Sequence, residues 1–121
     1  MSYENATFIT YQIPAGVLTS AATLETLIGP AGLQGRLESV TTVVTTDVTV
    51  AAASVDVGIT GTLAKYGTAS VPISVADAAL NTVTITDTDD NPLPADTVFL
   101  VSTDGAATAG AANINVTIAW F

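Results

Sequence analysis

The chain has no cysteine and no histidine, and only two basic residues, Arg36 and Lys65, stand against eleven acidic ones. Without cysteine there is no disulfide, no thiol nucleophile and no thiolate zinc site. Without histidine the commonest general base and the commonest metal ligand are both missing. Two cations cannot neutralise a run of phosphates, and a net charge of −9 repels both nucleic acid and anionic membrane surfaces. Aromatic residues make up only 6% of the chain, and no apolar run approaches the length needed to span a bilayer as a helix. The first residues have no basic stretch followed by an apolar one, so no signal peptide is expected.

What is present is apolar and small. Hydrophobic residues are 49% of the 121, enough to offset the entropy of ordering one domain. Thr, Ala and Val dominate. β-Branched side chains suit a pleated surface, and short runs of period-two alternation recur where helical periodicity does not. Strands are predicted over residues 7–13, 23–28, 35–46, 54–60, 69–75, 82–86, 97–103 and 113–120. Pro72 assigns the 69–75 segment to an edge or a bulge. Residues 50–53 read as a helical turn or a crossing between sheets, 77–81 as one helical turn or a tight loop, and 104–112 as a loop of small residues. The expected fold is all-β: a single antiparallel β-sandwich, jelly-roll or immunoglobulin-like, of seven to eight strands. It forms one domain, with residues 1–20 as an N-terminal arm plus first strand and residues 21–121 as the sandwich. Val55, Val57, Ile59, Val83, Ile85, Leu100, Val116 and Ile118 are the expected core.

Candidate chemistry is sparse. Asp87-Thr88-Asp89-Asp90-Asn91 is the densest carboxylate cluster. Calcium would need six to eight oxygens there, but Pro92 stands where an EF-hand loop has its glycine and Val98 where it has its bidentate glutamate. The cluster therefore reads as a turn in which Asp and Asn bond their own backbone, with calcium as the alternative. Glu25, Glu38 and Asp56 are the carboxylates available for glycoside chemistry, yet Glu38 and Asp56 fall on faces read as solvent-facing. Ser39, Ser54, Ser70, Ser74 and Ser102 have no histidine to activate them. No catalytic, cofactor or metal residue is expected, and the chain reads as a non-enzyme. Tyr3, Phe8, Tyr11, Trp120 and Phe121 cluster near the termini. They are the candidates for contacts with a partner or another subunit, with core packing as the competing reading; Trp120 is in phase with Ile118 and Val116.

Two blocks carry a family resemblance. One is Gly35-Arg36-Leu37-Glu38-Ser39-Val40, the alanines at 51–53 and Val55-Asp56-Val57-Gly58-Ile59-Thr60-Gly61-Thr62. The other is Ala95-Asp96-Thr97-Val98-Phe99-Leu100-Val101-Ser102-Thr103-Asp104-Gly105 followed by Ile114-Asn115-Val116-Thr117-Ile118. Together they resemble small tailed-phage virion proteins of the capsid decoration (cement) or head-fibre type. The resemblance implies a bacteriophage structural protein: a β-sandwich that binds the outer capsid surface, often as a homotrimer, with the major capsid protein as partner. It implies manufacture in the host cytoplasm and no cofactor, nucleic acid or membrane. The alternative is a fibre or surface sandwich module that binds a host receptor or a glycan.

Overall fold

The computed structural model describes residues 6–73, 79–80, 84–85 and 93–121. The strands are β1 (Thr7–Val17), β2 (Ala22–Ile28), β3 (Gly35–Thr49), β4 (Ala53–Ile59), β5 (Thr62–Val71), β6 (Ala79–Leu80), β7 (Thr84–Ile85), β8 (Val98–Thr103) and β9 (Ala109–Trp120). Seven of these are long, while β6 and β7 have two residues each. They form two antiparallel sheets: sheet A in the order β1-β9-β3-β6 and sheet B in the order β2-β8-β4-β5-β7.

The pairing is nested. β1 pairs with β9, β2 with β8, β3 with β6 and β4 with β5. One long antiparallel hairpin has in effect been rolled over on itself, with β9 also docking on β3 and β8 on β4. That nesting is a jelly roll. An immunoglobulin-like sandwich keeps its first two strands in one sheet; here β1 and β2 lie in different sheets.

Alternation places the core. In β9, Ala112, Ile114, Val116, Ile118 and Trp120 point inward, while Asn113, Asn115 and Thr117 point out. From sheet B, Val55, Val57, Phe99, Val101, Ala69 and Val71 meet them, and Ile59 packs half-buried at the margin. In β3 the inward residues are Leu37, Val40, Val44 and Val48. Their uneven spacing comes from register shifts between Leu37 and Ser39, between Val44 and Thr46, and between Thr46 and Thr49. Pro14 is tolerated in β1 because that strand is an edge and its register shifts there.

Several sequence expectations need correction. Leu100 is half-buried on the outer face, because Phe99 and Val101 take the inward phase of β8. Val83 and the side chain of Ile85 lie outside the described residues. β5 begins at Thr62 rather than Ala69, joined to β4 by a hairpin in which Gly61 has φ 87°. It ends at Val71, just before Pro72. Residues 50–53 make the crossing from sheet A to sheet B and no helical turn. Within the segment read as a helical turn or loop, residues 79–80 form β6; the rest of it lies outside the described residues. β9 starts at Ala109, inside the segment read as loop. The first strand expected within residues 1–20 is β1, which belongs to sheet A, and Leu18 beyond it is buried in the core.

Candidate functional site

The aromatic residues singled out near the termini do not form one surface. Tyr11 on β1 meets Phe99 on β8 edge-on, with ring centroids 5.8 Å apart, and Phe99 in turn meets Trp120 at 6.1 Å. These rings link the two sheets through the interior. Trp120 is 2% exposed, which removes it from the surface candidates. Its indole fills a slot that only glycine leaves open: a β-carbon at Gly29 would sit 2.2 Å from Cη2, and one at Gly35 would sit 2.6 Å from Cζ3. Phe121 is half-buried, its backbone exchanging two 2.9 Å hydrogen bonds with Gln34. Phe8 alone of the described members is largely exposed, at 59%. Tyr3 lies outside the described residues.

Nor does the structure gather the carboxylates. Glu25 and Glu38 are exposed on different sheets. Asp56, on the outer face of β4, is half-buried and occupied: it accepts hydrogen bonds from Thr68 Oγ1 at 2.6 Å and Ser54 Oγ at 3.1 Å. It therefore pins β4 to β5. Ser102, its register partner on β8, is buried and its Oγ has no hydrogen-bond partner among the described residues. Among the described residues no three potential metal ligands converge. The cluster at 87–91 lies outside them.

Two surface features stand out instead. The first is the end of the sandwich carrying the β1–β2, β3–β4 and β8–β9 loops and the chain leaving β5. The loops are tied together: Leu18 N–H donates to Gly110 C=O and Thr108 N–H to Thr49 C=O, both at 3.1 Å. Gly105, at φ 65°, presses so closely on Ser20 that a β-carbon would lie 2.0 Å from the Ser20 carbonyl carbon. At the β3–β4 crossing Val50 has φ 72°, and Ala51 N–H donates to Thr49 C=O at 2.9 Å. This is a γ-turn of the rare positive-φ kind, formed around a β-branched residue for which such a backbone is strained. The turn holds the Val50 side chain outward, 75% exposed, at the same end as Val17 (54%) and Ile73 (60%). Asp104 is the only charged residue in the described loops at this end. Its Oδ1 is engaged, accepting from Ser54 N–H at 3.0 Å and Ala106 N–H at 3.1 Å.

The second feature is a groove of about 540 Å³ on the outer face of sheet A, lined by Gln12, Ile13, Pro14, Val43, Asn113, Ile114 and Asn115. It lies where β1 bulges between Ile13 and Gly16. Gln12 is the register partner of Asn115, and Asn113 that of Val43. The sequence contains the outward phase of these amides, but their meeting depends on pairing residues about a hundred positions apart. Val50 carried no local signal either, since its strain arises from the crossing.

Comparison of the chain with protein-family models, with curated proteins and with solved structures finds no match.

Proposed function

We propose that this protein is a non-enzymatic virion structural protein that seats on the outer surface of a capsid and stabilises it. The observation that carries the reading is the loop end. Its described loops carry a single charged side chain, Asp104, on a molecule of net charge −9, and a strained turn holds an apolar side chain out of it. Strain of this kind persists where the surrounding structure enforces it, and it clusters at contact and switch sites. The jelly roll adds an analogy at the level of the fold, since capsid proteins use it, though lectins and cupins do as well.

The partner is the major capsid protein, met through this largely apolar loop end. One tip offers apolar area on the order of a few hundred Å², below the roughly 800 Å² per partner of a stable interface. A homotrimer multiplies the footprint at three-fold positions of a shell.

The test is co-sedimentation of the protein with shells stripped of it. Val50→Asp should abolish binding while the melting temperature stays within a few degrees of wild type. Val50→Gly should keep or raise stability by relieving the turn, and it should weaken binding. Full binding by a folded Val50→Asp variant would overturn the reading.

A further inference from the structure

We propose that the groove on the outer face of sheet A is a binding site for a neutral saccharide, separate from the loop end assigned to the shell. The argument starts from the lining. Three carboxamides, Gln12, Asn113 and Asn115, supply its polar groups, and none of its lining side chains is charged. A carboxamide presents both a donor and an acceptor. A sugar hydroxyl does the same, so neighbouring hydroxyls on a ring can each be matched by one amide. Phosphates, carboxylates and metal ions need charge that this lining lacks, and the −9 net charge further disfavours anionic sugars.

Shape and placement agree with that chemistry. The volume of about 540 Å³ lies within the range of small-molecule sites. Pro14 and Val43 give it apolar walls for the C–H face of a sugar ring. Asn113 already has an interaction of its own within the protein; Gln12 and its register partner Asn115 lie side by side across the β1–β9 pair and are the pair that addresses the ligand. Two residues along each strand, Thr10 and Thr117 share a 2.9 Å hydroxyl–hydroxyl hydrogen bond on the same face, extending the uncharged polar strip beyond the groove. The strip lies on a sheet face, so a molecule seated by its loop end would still present it to solvent.

The experiment is a two-dimensional NMR titration of the full chain with a panel of neutral oligosaccharides of glucose, mannose, galactose and N-acetylglucosamine. Sialyllactose serves as the anionic comparison. At least one neutral sugar should shift the side-chain amide signals of Gln12 and Asn115 at millimolar concentration, and sialyllactose should not. Gln12→Ala and Asn115→Ala should each weaken that binding roughly tenfold with an unchanged melting temperature. Asn115→Asp, which keeps the volume but removes the donor, should weaken it similarly and guards against misfolding of the alanine variant. Three results would overturn the proposal. One is no shift with any neutral sugar up to about 20 mM. Another is shifts confined to residues outside the groove. The third is perturbation of Gln12 and Asn115 by protein concentration alone, which would make the face an interface between copies. Shell sedimentation plays no part in this test, so its outcome and that of the capsid reading can be told apart.

Discussion

Gly29→Ala provides a sharp test of the packing around Trp120. Gly29 does not have the positive φ that only glycine adopts easily. On backbone grounds alone, alanine there should stabilise the protein by about 0.4–1 kcal/mol, because the unfolded chain loses freedom. The structure reverses that sign. The three atoms nearest the added β-carbon are Cη2, Cζ3 and Cζ2 of Trp120, at 2.2, 2.4 and 2.5 Å. Gly35 also lies against the ring, its own β-carbon placed 2.6 Å from Cζ3, and the ring is buried, so it has little room to withdraw. Overpacking of this kind costs about 1–3 kcal/mol, or on the order of 5–10 °C in melting temperature for a domain of this size. The cause is isolated by a double-mutant cycle with Trp120→Leu, measured by urea denaturation followed by circular dichroism because the only tryptophan is itself replaced. Trp120→Leu alone is costly, as expected of a large-to-small core change. Once the benzo ring is gone, Gly29→Ala should become neutral or stabilising, giving a coupling energy of at least about 1 kcal/mol. Equal costs of Gly29→Ala in both backgrounds would refute the clash.

Gly105→Ala should be more damaging than Gly29→Ala, by more than about 2 kcal/mol, because its β-carbon meets Ser20 backbone and its φ is 65°; thermal melts compare the two directly. Ile118→Ala should cost about 2–5 kcal/mol and Leu100→Ala about 1 kcal/mol, since the first leaves a cavity in the core and the second trims a half-buried outer residue; equal losses would contradict the assigned phase of β8. Asp56→Ala should cost about 1–3 kcal/mol in urea denaturation by releasing the Thr68 and Ser54 hydroxyls, while Asp56→Asn should recover part of the loss. Burial pushes the Tyr66 phenol above its ordinary value of 10.0. Its contribution to stability is therefore intact below pH 10 and lost as pH rises through the folded-state value, because the unfolded chain ionises first. The alkaline fall in melting temperature should become shallower in Tyr66→Phe.

The parts of the fold that were legible are those where alternation is strict. From Asn113 to Trp120 every second residue is large and apolar, and the inward phase follows directly. Residues 98–101, Val-Phe-Leu-Val, contain no alternation, so nothing local says whether Leu100 or its neighbours face in; pairing with β2 and β4 settles it. The start of β9 is hidden for a different reason. Ala109, Gly110, Ala111 and Ala112 have weak strand preference, and they are strand because Thr49, Thr46 and Val44 of β3 pair with three of them. The slot around Trp120 and the amide groove are still further from local reach. Each depends on residues brought together by nested hairpin pairing, which leaves no mark within any one segment.

That nesting also decides how the terminal segment can be tested. Removing residues 1–13 looks like a way to ask whether the N-terminus docks on a partner. Yet seven residues of β1 up to Ile13 pair in register with β9, from Thr7 opposite Trp120 to Ile13 opposite Ile114. The deletion would strip Ile13 and Tyr11 from the core and its margin and expose the paired edge of β9, which invites aggregation. It would also remove one wall of the groove. A loss of particle binding would then report on folding and say nothing about docking. Point substitutions separate the roles because the three features occupy different parts of the roll. Phe8→Ser changes an exposed side chain on β1, Val50→Asp changes the loop end, and Gln12→Ala changes the groove, while all three leave the β1–β9 backbone ladder in place. If the loop end is the shell contact, only the second should release the protein from particles. Release by Phe8→Ser with full retention of Val50→Asp would instead move the contact to the opposite end of the sandwich, where Thr7 pairs with Trp120.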